Sequence, residues 1–344
     1  MRLFRGAGLL VLLGITGPIA ACAPPRPPEA PLDEHDAEPL TPETSPIGLR
    51  RSVVADEYFW LRAKVLEGEA PPPFGDALLA MREIRGDLAP DPTSWEDLEV
   101  PLGTVRRASD LTTVYSELPL TRDVGGRPVA LRARALRLSK ALEATESAYR
   151  AGPFRDHDAE IQRAAKELGS RLLPNVETIL RAIEGDLALP GVTRPIVVTL
   201  VGDAPYPGIF AADARGRASA SFVRVHGLDG SALCETVLHE ALHAIDELTV
   251  RSPTAMNALR KALAARQMGD DDPNVEMAVN TVTFAEAASL VKRFVDPNHR
   301  PLGESGFYNL YPPARAVVDA WNKHIDGASL DDTTLAIAKA VSGP

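Results

Sequence analysis

The stretch Leu238-His239-Glu240-Ala241-Leu242-His243-Ala244-Ile245-Asp246 carries His-Glu-x-x-His in an apolar run free of Pro and Gly, which predicts one helix. At about 3.6 residues per turn, two histidines four apart share a face, offset by roughly 40°. Two neutral imidazoles placed this way can hold one tetrahedral Zn2+. Glu240, directly after the first His, flanks that position and can serve as general base toward a zinc-activated water. The competing reading is an ordinary buried helix with two hydrogen-bonded histidines.

A catalytic zinc needs a third protein ligand and one open position. Asp246 lies three residues beyond His243 on the same helix, too close to complete a tetrahedron, and reads as a group behind the ligands that orients an imidazole. A Gly and a third His spaced as in metzincins are missing; Asp246 and Thr249 stand there. A Glu about 20 residues on, as in thermolysin-like sites, is missing too; Leu263 stands there. Glu276, Glu286 and His299 remain. Glu286 is favoured, because a carboxylate in the Ala-rich run Thr283-Phe284-Ala285-Glu286-Ala287-Ala288 needs a cation to offset its burial. Cys234, five residues before His239, reads as a small core residue.

Working outward, Pro195 to Val201 is a β-branched run that predicts a buried strand. Gly208 to Ala212 and Ala218 to Val225 predict two more strands, the second just before the His-Glu-x-x-His helix, with Ser231 as its N-cap. Val275 to Val295 predicts a second long helix, and Pro312 to Ile325 and Leu330 to Val341 two closing ones. Asp270-Asp271-Asp272 lacks the spacing of a calcium loop and reads as a solvated turn. Upstream, helices are expected over Leu49 to Glu67, Phe74 to Leu88, Pro128 to Arg150, Asp156 to Leu168 and Asn175 to Leu187, with His157 solvated among charges. The expected class is α+β, mostly helical: a helical region over 48–190, then a domain over 191–344 with a small mixed sheet and the His-Glu-x-x-His helix.

The first 21 residues read as a signal peptide, with Arg2 and Arg5 ahead of an apolar stretch too short to span a membrane comfortably. Ile19-Ala20-Ala21-Cys22 resembles a bacterial lipobox, which implies lipidation (palmitate among the acyl chains) at Cys22, and Ala23 after it implies the outer membrane. Residues 22–47, rich in Pro and acids, are expected as a disordered tether. The formal net charge is −10, and loss of Arg2 and Arg5 makes it two units more negative. That argues against nucleic acid as a partner. The cysteines are Cys22 and Cys234, so acylation of the first rules out an intrachain disulfide.

His239-Glu240-x-x-His243-Ala244-Ile245-Asp246, followed by Phe284-Ala285-Glu286-Ala287, resembles the gluzincin-type peptidases related to anthrax lethal factor and the secreted Pro-Pro endopeptidases. Tyr311-Pro312-Pro313-Ala314-Arg315 is similar to the end of that fold. The resemblance covers roughly 191 to 326 and implies a zincin-like domain with Zn2+ held by His239, His243 and Glu286. Two departures stand out. The family's zinc-binding Glu lies one turn before the Phe-Ala-Glu glutamate, where this chain has Val282, and its transition-state Tyr has no counterpart before the second helix. Tyr308 and Tyr311 are the substitutes by residue type. In zinc peptidases of this architecture an edge strand pairs with extended substrate, and Ala218, Ser219, Ala220 and Ser221 are small enough to leave room for one. The expectation is a lipid-anchored zinc metallopeptidase acting on peptide or protein substrates. The alternative is a catalytically inactive zincin-fold lipoprotein that binds a partner.

Overall fold

The computed structural model describes residues 37–343 apart from 43, 69–70, 89–92, 193–194, 214–217, 251 and 270–271. The signal segment 1–21, Cys22, the first part of the tether and most of the acidic turn lie outside the described residues. Two strands come first, β1 (Ala37–Pro39) and β2 (Ile47–Ser52), followed by α1 (Val53–Glu67), α2 (Gly75–Leu88), α3 (Thr93–Glu99) and α4 (Ala108–Tyr115). A hairpin, β3 (Arg122–Val124) and β4 (Arg127–Val129), leads to α5 (Leu131–Ala151), α6 (Pro153–Arg171) and α7 (Val176–Asp186). Then come β5 (Ile196–Val201), β6 (Gly208–Ala212) and β7 (Ser219–Arg224). The chain closes with α8 (Gly230–Leu248), α9 (Ala255–Ala264), α10 (Pro273–Phe294), α11 (Phe307–Leu310), α12 (Ala314–Ile325) and α13 (Leu330–Ser342). It is a mostly helical α+β fold with a small mixed sheet.

The sheet order is β1-β2-β5-β7-β6, with β2, β5 and β7 parallel and the two outer strands antiparallel to their neighbours. Side chains alternate between its faces. Ile196, Val198 and Leu200 of β5, with Val223 of β7, join one core with α6 to α10, α12 and α13. Val201, Ala220, Phe222 and Ile209 join a second core with α1 to α5. Burying a side chain such as Phe222 contributes about 1.5–3 kcal/mol. The described residues form one compact unit.

Several expectations change here. Leu49 to Ser52 is strand, not the start of a helix; Ser52 instead caps α1, accepting from the Ala55 amide. The β-branched pair Val53-Val54 blurs that boundary in the sequence. Part of the expected disordered tether is ordered, since Ala37–Pro39 pairs with β2 and Glu38 meets Arg51. The N-cap of α8 is Asp229 rather than Ser231. The half-buried Gly230 amide is taken by the Glu167 carboxylate of α6 at 2.8 Å, a favourable place for an anion at a helix N-terminus, while Ser231 donates to Asp296. His157 is not solvated: its Nδ1 lies 2.8 Å from the buried Asp56 carboxylate.

The largest correction concerns the substrate strand. Ser219 to Ser221 opens the interior strand β7, which lies between β5 and β6 in the sheet: all three residues pair with β6, and Ser221 pairs with β5 as well. The edge beside α8 is β6. The small residues serve packing. A Cβ on Gly103, in the turn after α3, would come 2.6 Å from the Ala220 methyl. Ser221 Oγ donates to the Glu240 carbonyl at 3.1 Å and ties β7 to α8.

Candidate metal centre

Helix α8 lies on the sheet with His239, Glu240 and His243 turned inward. His239 and Glu240 are buried. The two Nε2 atoms are 3.1 Å apart and the rings meet edge to face. Glu240 Oε1 lies 4.0 Å from His239 Nε2. The glutamate side chain runs directly over the start of β6, where a Cβ on Gly208 would sit 2.1 Å from Oε1, so any larger residue there would displace the carboxylate.

The walls are aromatic. Phe210 of β6 stacks on His243 at 5.5 Å, Phe284 of α10 packs on His239 at 4.0 Å, and Phe307 backs Phe284 at 4.7 Å. This apolar surround governs the charges. Burial lowers both imidazoles below their usual range, His239 well below it with His243 adding to the effect, so both are neutral donors. Burial raises the Glu240 carboxyl to about 8. His239 Nδ1 and Glu240 Oε2 have no hydrogen-bond partner among the described residues.

Helix α10 supplies the facing side, but not through Glu286. Asn280 Oδ1 stands 3.2 Å from His243 Nε2. Asn280 and Phe284, four apart, share one face of α10. Glu286 is two residues past Phe284 and therefore points roughly 200° away. It is fully buried, and its Oε2 accepts from Trp321 Nε1 of α12 at 2.9 Å. Burial raises its carboxyl to about 8, with Asp186 adding to the rise. The expected zinc ligand is thus a core acid held by an indole. Glu276, one turn before Asn280, is exposed in the first turn of α10, and its charge acts on Arg260 and Glu96.

The other expected residues also find different work. Tyr311 donates its hydroxyl to the Asn274 carbonyl at 3.2 Å, and burial pushes its phenol up to about 12. Tyr308 packs over Gly303 in a small cluster with Tyr311 and Phe307, its hydroxyl buried without a partner among the described residues. Neither hydroxyl is hydrogen-bonded to the His pair. His299 pairs with the buried Glu235 of α8, whose oxygens also accept from the Leu302 amide, so it anchors the loop after α10. Asp246 does lie close enough to His243 for its charge to act on the imidazole, but its oxygens are clamped by Arg260 of α9. Cys234 is buried, and burial pushes its thiol up to about 12, as fits a core residue.

Among the described residues no group of three or more His, Cys, Asp and Glu side chains converges as a metal site. What converges is two imidazole nitrogens and an amide oxygen. These donors fit a divalent cation in kind, and the stranded Glu240 oxygen beside them fits a nearby positive charge. Sequence reasoning does not single out Asn280, Phe210 or Gly208. Asn280 has one visible signal, its place one turn before Phe284 on the same face. No family model, curated protein or solved structure matches the chain.

Proposed function

We propose that the chain is an envelope zinc metallopeptidase, carried at the membrane by a lipid on Cys22, with a zincin-like centre built on α8. One observation supports the reading above the rest. Two neutral imidazoles put their Nε2 atoms 3.1 Å apart, with a buried, unpartnered glutamate oxygen alongside. His239 and His243 would hold the cation. When bound, zinc supplies Lewis acidity toward a carbonyl oxygen and a solvent molecule.

The protein's own groups do the remaining work. Without the cation Glu240 keeps a proton at neutral pH, because burial opposes its charge. A positive charge next to it favours the carboxylate, which can then take up a proton and hand it to the leaving amine. Phe210 and Phe284 hold the imidazoles in place and keep bulk water off them. Pairing with an extended peptide falls to the edge strand β6, which carries Phe210 onto His243.

The test is zinc content and peptide cleavage of the full chain and of Glu240→Gln. Glu240→Gln should retain zinc and lose at least about 100-fold in cleavage. Cleavage that survives in that variant overturns the mechanism. A second reading, an inactive zincin-fold protein that binds a partner, is favoured by one feature: among the described residues no carboxylate reaches the His pair from α10. Zinc bound by the unaltered chain without cleavage of any peptide in a broad library would decide for it.

A further inference from the structure

With the Asn280 amide turned Oδ1 toward the ring, the atoms around His243 Nε2 do not balance as hydrogen bonds. His239 Nε2 lies 3.1 Å away on one side and Asn280 Oδ1 lies 3.2 Å away on the other. One Nε2 proton on His243 can be directed at one neighbour, which leaves the other lone pair aimed at the same nitrogen with nothing between. Giving the shared proton to His239 leaves the amide oxygen facing a bare nitrogen lone pair. His239 Nδ1 has no partner among the described residues in either arrangement. Acceptors shut away from water are ordinarily satisfied, so lone pairs short of protons that converge beside the buried His239 mark the place of a cation.

We propose that the side-chain amide of Asn280 is the third protein ligand of the metal, through Oδ1, in the place where a glutamate was expected. The proposal rests on the metal site put forward above and concerns what completes it. The two glutamates of α10 are engaged elsewhere: Glu276 is exposed beside Arg260, and Glu286 is bound to Trp321 on the opposite side. Asn280 and Phe284 are what α10 presents to the His pair. Amide carbonyls are accepted metal donors, though harder and weaker toward zinc than thiolate, imidazole or carboxylate. The donor set His239, His243 and Asn280 is uncharged. A bound divalent ion therefore keeps its whole charge, where a carboxylate would cancel half of it. Two consequences follow. The site binds zinc less tightly than a two-His, one-Glu set would, and the retained charge acts more strongly on the neighbouring Glu240 carboxyl and on any carbonyl brought to it.

The experiment is a competitive zinc titration of the full chain against a chromophoric chelator, repeated for Asn280→Ala, Asn280→Asp, His239→Ala and Glu286→Gln. Unfolding of each zinc-free protein serves as the check on folding. Asn280→Asp exchanges the amide for a carboxylate of the same shape, so it changes the donor without changing the packing. Asn280→Ala should weaken zinc by about 10–100-fold and Asn280→Asp should tighten it by about tenfold or more. Glu286→Gln, which keeps an acceptor for Trp321, should stay within about twofold. The absorption spectrum of the cobalt-substituted protein should shift between the unaltered chain and Asn280→Asp, a readout independent of catalysis. Zinc affinity unchanged in both Asn280 variants, with His239→Ala still abolishing it, overturns the amide ligand and leaves the metallopeptidase reading standing. No zinc binding by the unaltered chain overturns both.

Discussion

Asp56 and Glu240 are both carboxylic side chains buried next to a histidine, one on α1 at the end of β5 and one on α8. Asp56 is saturated. One oxygen accepts from the Gly202 amide, the other from Tyr149 at 2.7 Å and from His157 at 2.8 Å. Gly202 makes the fit possible, since a Cβ there would lie 2.1 Å from the His157 ring. Burial works to lower the His157 imidazole, but the hydrogen bond and charge of Asp56 outweigh it and raise it. Glu240 by contrast has a bare oxygen, its histidine has a bare nitrogen, and burial dominates in all three site groups. The two clusters separate by how completely their polar atoms are answered. A complete network ties elements together: α1, α5, α6 and the end of β5 meet at Asp56. An incomplete one is costly in isolation, and that cost is what a ligand can relieve.

The sharpest way to break this comparison is Asp56→Ala. It strands the Gly202 amide, leaves Tyr149 and His157 with only their mutual hydrogen bond at 3.1 Å, and should cost about 3–5 kcal/mol in urea unfolding, with the zinc affinity of the folded protein unchanged. A loss under about 1 kcal/mol would make the Asp56 network dispensable and erase the contrast. Next in size is the effect of the ligand. Zinc at about 100 times its dissociation constant should raise stability by about 2.7 kcal/mol in the unaltered chain and not at all in His239→Ala. Equal stabilisation of both would place the metal elsewhere.

The smallest effect sharpens the other side. Glu57, next to Asp56, accepts from Thr145 with one oxygen and has no partner for the other among the described residues, and burial raises its carboxyl to about 8. Its folded pKa lies above its unfolded one, so the proton it binds on folding stabilises the protein fully below the unfolded value, near pH 4. That contribution fades as pH climbs through about 8. Glu57→Gln should therefore match the unaltered chain at about pH 4 and exceed it in stability at about pH 9. A constant difference across that range would show that Glu57 does not carry the charge penalty.

Local signals locate most of the elements, and non-local ones are where a sequence is silent. The periodicity of α8 and the β-branched run of β5 announce themselves, because each is written in a few consecutive residues. The order of strands in the sheet is not, so the small residues of β7 suggest an edge that β6 in fact holds. The Glu286 correction is one of helical phase. An acid in an Ala-rich helix does need a partner, but the partner is Trp321, which no local pattern announces. Asn280 escapes a search by residue type because amides are rarely sought as zinc donors; a search by helix face finds it beside Phe284.

Strand β2 has a further consequence for how the molecule is made. It sits between β1 and β5, and Arg50 reaches Thr199 across the pair from 149 residues away. Synthesis runs from the N-terminus, so β2 emerges long before the strand it pairs with. The helices α1 to α5 can meet one another early through short-range contacts, whereas the sheet closes only after β5 has arrived and the intervening loop has been drawn shut. Helix α8 rests on β5, β6 and β7, so it has no platform until then. The two histidines share a face as soon as α8 forms, but Phe210 and Asn280 close on them only after most of the chain is committed, so an unfinished chain does not present a complete metal site to whatever ions surround it.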